Sequence, residues 1–270
     1  MGPPGYGTPP KWGFPALAWR WPTAVAGTET EQPVTVERVR AVAGQATAML
    51  WALAGLSLVA AGGEVWRYVL LVNSRTGALS SALVGASDAL VGIAGILSLA
   101  FGLLTAVVTL WWLHLARHAA ADLADQGLAR PDWQVLLYLL LPGVNLAMAG
   151  VVLTELEHQV LRRPADERPN PTKAVKVWWA VWAAAGVLFA VTVAWRFRDS
   201  VQAHADGVVL SALTDLAAAA VAVLTALMIR RLAALLSPIN PTAVRYLRVL
   251  RVEGAPEPPL RTTKPLPSRR

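Results

Sequence analysis

The chain has 270 residues, of which 55% are hydrophobic and only 15% are charged. Soluble domains carry about 25% charged residues, so this composition argues against an ordinary soluble enzyme and favours a membrane protein. The sequence contains no cysteine, which excludes disulfides, thiolate metal ligands and a cysteine nucleophile. It also lacks nucleotide-binding, nucleophile-elbow and zinc-protease motifs, so we predict no enzymatic activity and no cofactor.

The chain begins with a Pro/Gly/Trp-rich stretch, residues 1–33, which we predict to be a disordered cytoplasmic tail. A helix is predicted to start near Thr35. Crossing the hydrocarbon core takes about 20 helical residues. Four apolar segments reach or approach that length, and we predict spans at about 41–63, 89–113, 177–195 and 207–229. They define a helical domain over 34–236, followed by a basic, Pro-rich cytoplasmic tail over 237–270.

A fifth uncharged segment, residues 134–154, has Pro142, Gly143 and Asn145 at its centre. Proline removes a backbone donor and clashes with the preceding turn, and glycine permits a tight turn. The freed backbone groups cannot face lipid, and the Asn145 amide is a candidate partner for them. The segment either enters the membrane (or lies at its surface) and turns back, or crosses it as a kinked helix.

The lysines and arginines favour the first alternative. If the broken segment turns back, the chain crosses four times, and 20 of the 24 Lys and Arg residues lie on one side. If it crosses, the two sides carry 8 and 16. Because cytoplasmic loops carry an excess of Lys and Arg, we predict four crossings with both termini in the cytoplasm.

The two halves of the helical domain resemble each other. Residues 51–55 read WALAG and residues 182–186 read WAAAG, while WRY at 66–68 has its counterpart in WRF at 195–197. Membrane proteins often contain such repeats. We therefore predict an all-α, polytopic transmembrane bundle of two parallel helical hairpins, joined by the Pro-broken re-entrant or interfacial segment.

The order of these motifs is similar to that of the domain-of-unknown-function 4328 family of actinobacterial multi-pass membrane proteins. Pro142, Asn145 and Leu146 match its P-x-x-N-L motif, and a second motif, WW-x-x-W, matches Trp178, Trp179 and Trp182. Leucines replace the glycines that often precede the proline. The resemblance covers residues 40–240 approximately and implies a membrane location; the family has no established activity.

Asp215 is the sharpest candidate for a functional side chain. It lies eight residues beyond Gly207, which is about 12 Å along a helix. An ionisable group inside a span is costly and marks a functional site by default, although a hydrogen-bonded Asp that holds helices together is the simpler interpretation. Together with Pro142, Gly143 and Asn145 it forms the predicted intramembrane site, functional or purely for packing.

A weaker candidate is a metal site at the cytoplasmic surface. His114, His118 and Asp122 share one helical face, and Glu155 and His158 share another across the broken segment. Imidazole and carboxylate groups at such spacing bind Zn or Fe. A solvated helix surface produces the same pattern, so we predict no metal.

The predicted function is that of a non-enzymatic scaffold, assembly or envelope-associated protein of the bacterial plasma membrane. The alternative is a small transporter or channel with its site near Asp215 and the Pro142–Asn145 break. The expected partners are the bilayer, anionic lipid headgroups facing the cytoplasmic arginines, and a second copy or another membrane protein. Nucleic acid is not expected, because the basic residues flank spans.

Overall fold

The computed structural model describes residues 34–236, so both predicted tails lie outside the described residues. The described chain forms six helices: α1 (Val34–Asn73), α2 (Ser81–Ala124), α3 (Asp132–Leu140), α4 (Val144–Val160), α5 (Lys173–Trp195) and α6 (Val201–Leu236). Four of them, α1, α2, α5 and α6, are long and apolar enough to cross a membrane. The predicted all-α class and the number of spans are confirmed.

The helices continue beyond the predicted spans. α1 has 40 residues and α2 has 44, which corresponds to about 60 and 66 Å of helix, against a hydrocarbon core of roughly 30 Å. α2 ends only at Asp125, which adopts the left-handed conformation with φ 52°. The ends of these helices therefore extend well outside the apolar layer and carry polar side chains there.

The first hairpin consists of α1 and α2. At one end, Arg67 of α1 donates to Asp88 of α2 across 2.7 Å. Further along, the side chain of Leu53 lies 3.8 Å from the position that a Cβ on Gly102 would take. Later residues of α1 contact earlier residues of α2, so the two helices are antiparallel.

The second hairpin consists of α5 and α6 and is built in the same way. The indole nitrogen of Trp178 donates to the Thr225 hydroxyl across 2.9 Å. Nearer the connecting loop, the Thr192 and Thr214 hydroxyls are hydrogen-bonded at 2.7 Å. These bonds stabilise an antiparallel pair through threonines, which satisfy their donors within the apolar layer.

α1 is the central helix and packs along both α2 and α6. Glu64, late in α1, lies within electrostatic range of Asp215 in α6, whereas Leu50 and Ile229 line the same cavity further along. α1 and α6 are therefore antiparallel, which makes α1 parallel to α5 and α2 parallel to α6. The predicted pair of parallel hairpins is confirmed.

The most buried residues are concentrated toward the end of the bundle where α1 begins and α2 and α6 end. Many of them are alanines, which let helix backbones approach closely. The largest apolar side chains that are fully buried are Leu156 of α4 and Ile229 and Leu232 of α6. This core consists of Val39, Ala46, Ala116, Ala120, Leu156, Val175, Ala226, Ile229 and Leu232, among others.

Candidate functional site

The break at Pro142 lies where the sequence predicts it. α3 ends at Leu140, α4 begins at Val144, and Gly143 between them has φ +82°, a conformation that glycine adopts at little cost. Backbone hydrogen bonds close the turn: the main-chain N–H of Asn145 donates to the Leu141 carbonyl at 3.1 Å. Much of the backbone freed by the proline is thus satisfied locally.

The broken segment turns back on itself. Arg130, just before α3, donates from Nε to both carboxylate oxygens of Glu155 in α4, at 2.9 and 3.2 Å. Residues 130 and 155 would lie about 37 Å apart along one straight helix. In addition, Gln126 donates to the Arg163 carbonyl at 3.0 Å. α3 and α4 therefore form a helical hairpin whose two ends lie together; its placement in the membrane stays a prediction.

Two glycines seat this hairpin against α5. The ring of Trp179 lies directly over Gly150 of α4, and the Leu146 side chain lies against Gly186 of α5; a Cβ on either glycine would overlap its neighbour. Trp179 also donates from its indole nitrogen to the Leu146 carbonyl across 2.6 Å. Gly186 lies thirteen residues beyond Lys173, about 20 Å along α5, so the hairpin tip reaches the middle of a spanning helix.

At its other end the hairpin is fixed by a buried carboxylate. Glu157 of α4 is only 1% exposed. It accepts a hydrogen bond from the Thr172 hydroxyl at 2.9 Å and lies 2.7 Å from the guanidinium of Arg231 in α6. Thr172 is the N-cap of α5, so this Glu157 cluster (Glu157, Thr172 and Arg231) joins α4, α5 and α6 at one point. Sequence reasoning missed it.

A second polar cluster, the Asp132 cluster, joins α2 to the start of α3. Arg117 is buried and donates to Asp132 Oδ1 at 2.6 Å and to the Arg130 carbonyl at 2.5 Å. The other carboxylate oxygen, Oδ2, lies 2.9 Å from His118 Nε2 and 3.3 Å from His114 Nδ1. Both imidazoles therefore converge on one oxygen.

Burial raises the pKa of the Asp132 carboxyl, but the hydrogen bond from His118 and the electrostatic attraction of His114, His118 and Arg117 outweigh it, so the net pKa is lowered. The ligand atoms of His114, His118 and Asp132 lie within 4.8 Å of one another, a spacing that a metal ion can bridge. Arg117 already balances the carboxylate charge. The absence of a metal stays a prediction.

The structure separates the other predicted metal candidates. Asp122 is exposed and is not part of this cluster. Glu155 pairs with Arg130, and His158 Nε2 lies 3.0 Å from the Pro164 carbonyl oxygen. The sequence signal for Asp132 is its position in the first turn of α3. Acidic residues are common at that position because they interact favourably with the helix dipole, so the position by itself does not indicate a cluster.

A cavity of about 350 Å³, the central cavity, lies between the described helices, and all six of them line it. Its lining is almost entirely apolar and includes Leu50, Gly102, Thr109, Trp112, Leu140, Leu153, Trp178, Trp182, Ala222 and Ile229. The predicted site residues Asp215, Pro142, Gly143 and Asn145 do not line it. Asp215, which is half-buried, and the helix break therefore both lie outside this cavity.

A second, more polar cavity of about 290 Å³ lies where the chain leaves α4 and enters α5. Arg130, Glu155, Arg168 and Trp179 line it together with two prolines of the connecting loop. Because Glu155 already binds Arg130, Arg168 is the basic side chain left open to a ligand here.

Most of the helices and contacts described above lie within a segment that matches a known protein family. A family model described as a domain of unknown function, DUF4328, matches residues 75–234. The chain belongs to the DUF4328 family. That match includes the broken hairpin, the Asp132 and Glu157 clusters and the second helical hairpin of this DUF4328 protein. No curated protein and no solved structure matches the chain.

Proposed function

We propose that this DUF4328 protein is a non-enzymatic scaffold of the bacterial plasma membrane, with both termini in the cytoplasm. The observation that carries the proposal is a polar face at one end of the bundle, where ion pairs join the helix ends. We define this polar face as the ends of α2, α4 and α6 with the starts of α3 and α5, held by the Asp132 cluster, the Glu157 cluster and the Arg130–Glu155 pair.

The turn in the broken segment supports the proposed orientation. The return of α3 and α4 to the same end of the bundle supports four crossings, and the resulting distribution of 20 basic residues against 4 favours a cytoplasmic polar face. The hairpin enters the membrane from that side. Its depth along α5 supports this placement, as do four exposed leucines near its tip, Leu136, Leu137, Leu140 and Leu141.

The polar face presents basic side chains on a fixed backbone. Arg162, Arg168 and Arg230 are exposed there. Each contributes about 1 kcal/mol to binding an anionic membrane surface, and the same side chains suit acidic segments of a membrane-associated partner or of a second copy. A positively charged surface held by ion pairs between helix ends supports recruitment of a partner.

The test compares two exposed loop arginines at opposite ends of the bundle. Arg168→Glu alters the polar face, and Arg75→Glu is the matched control at the other end. Proteins cross-linked to each variant in intact cells are identified by mass spectrometry. We expect Arg168→Glu to lose cross-linked partners while its expression and melting temperature stay at the wild-type values, and Arg75→Glu to keep them.

The alternative function, a small transporter or channel, predicts a different result. Both arginine variants would keep the same cross-linked proteins, and the purified protein would move protons or a small solute into liposomes. Loss of that flux in Asp215→Asn, with the protein still folded, would decide for transport. The apolar lining of the central cavity favours the scaffold.

A further inference from the structure

The central cavity has a gap in its wall. α2 and α5 both line it; α4 packs against both of them, and α2 and α5 form no packed interface with each other. Leu140, at the tip of the α3–α4 hairpin, lines the cavity and is also 65% exposed. The cavity is therefore open beside the hairpin tip, and because α2 and α5 are long and apolar enough to span, this opening faces the hydrocarbon of the bilayer.

The cavity is lined by residues whose polar atoms lack partners. The indole nitrogens of Trp112 and Trp182 and the hydroxyl of Thr109 are buried and have no hydrogen-bond partner among the described residues. Trp112 is only 2% exposed. By contrast, Trp178 in the same lining donates to Thr225. A buried donor without an acceptor is costly, so the unpaired indoles indicate a ligand that supplies one.

We infer that the central cavity binds an acyl chain of a membrane phospholipid, entering between α2 and α5, with an ester oxygen accepting a hydrogen bond from Trp112 or Trp182. An indole nitrogen only donates. The occupant therefore needs acceptors within an otherwise apolar body, as an acyl ester has. A peptide segment would bring additional N–H donors for which this lining has few acceptors. A cavity of this size with few polar groups matches ordinary ligand sites.

The experiment uses the full-length protein in nanodiscs that contain phosphatidylglycerol with a photoreactive diazirine in its acyl chain. After irradiation, the labelled peptides are mapped by mass spectrometry. We expect labels to concentrate on the cavity-lining parts of α2 and α5. Gly102→Leu, whose side chain fills the cavity, should lose this labelling, because a Cβ there meets only Leu53 at an ordinary 3.8 Å.

Gly95→Leu is the matched control, since it lies seven residues earlier on α2, outside the cavity, with nothing within 4 Å of its Cβ position. It should label as the wild type does. Ala106→Phe is a second cavity-filling variant for the case that Gly102→Leu does not insert. Equal labelling of all lipid-facing helices, unchanged by both filling variants, would overturn the inference.

A second measurement tests the donors and the occupant. Protein purified from membranes is washed with mild detergent, and the retained lipid is extracted and identified. Trp182→Phe should retain less phospholipid than wild type, whereas Trp195→Phe, which removes an unpaired indole outside the cavity, should not. Recovery of a quinone, a prenol or no lipid at all in place of phospholipid would contradict the assignment.

Discussion

Replacing Arg231 tests whether the Glu157 cluster fixes the α3–α4 hairpin to the bundle. In Arg231→Met the Glu157 carboxylate, 1% exposed, loses the guanidinium at 2.7 Å and keeps only the hydrogen bonds from Thr172. Breaking a buried ion pair from one side costs about 3–5 kcal/mol. The Arg231 side chain is 37% exposed, so the lower end of that range, about 3 kcal/mol, applies.

The assay is thermal unfolding in detergent micelles, followed by far-UV circular dichroism. For a chain of this size about 1 kcal/mol corresponds to 2–4 °C. Arg231→Met should therefore melt about 6–12 °C below wild type, by the same scaling. Arg230→Met is the control, because Arg230 is the neighbouring residue but is exposed; we expect it to melt close to wild type.

The double variant makes the test decisive. Adding Glu157→Gln to Arg231→Met removes the unpaired charge while an amide oxygen remains to accept from Thr172, so the double variant should be more stable than Arg231→Met alone. The reasoning is refuted if Arg231→Met and Arg230→Met melt alike, or if the second substitution lowers the melting temperature further.

Two further predictions concern the seat of the hairpin and the Asp132 cluster. Gly150→Ala should lower the melting temperature, since its Cβ would overlap the Trp179 ring, whereas Gly55→Ala, with nothing within 4 Å, should raise it slightly; equal effects would contradict the packing. The lowered pKa of Asp132 contributes stability that is present above its unfolded value of 3.8 and is lost as the pH falls through the folded value. Asp132→Asn should lose part of this acid-dependent decrease in melting temperature and Asp122→Asn should not, and identical pH profiles would argue against the cluster.

The spans and the break could be predicted because both depend on local composition. An uncharged segment of sufficient length predicts a helix in the membrane, and Pro142 followed by Gly143 predicts where the helix stops. α1 starts within a residue of the predicted Thr35. The predicted spans are shorter than the helices, because the helices continue beyond their apolar segments.

The clusters could not be predicted because their partners are distant in sequence. Glu157 and Arg231 are 74 positions apart, and neither stands out in its own segment. His114 and His118 were singled out by helical spacing, but their carboxylate is Asp132, across the α2–α3 loop, not Asp122 one turn further along. Asp215 could be singled out because it is a charged residue within a predicted span. The central cavity could not be predicted, because its lining comes from all six helices and depends on how they pack.

The central claim is that the α3–α4 hairpin enters the membrane and returns to the cytoplasmic side. Because the chain has no cysteine, single cysteines at four exposed positions in intact cells report the side directly, by reaction with a membrane-impermeant maleimide. The positions are Ala78, Ala129, Ala165 and Asp199. The predicted result is that 129 and 165, on either side of the hairpin, are both protected while 78 and 199 react. Reaction at 165 with protection at 129 would contradict it, because the segment would then cross the membrane.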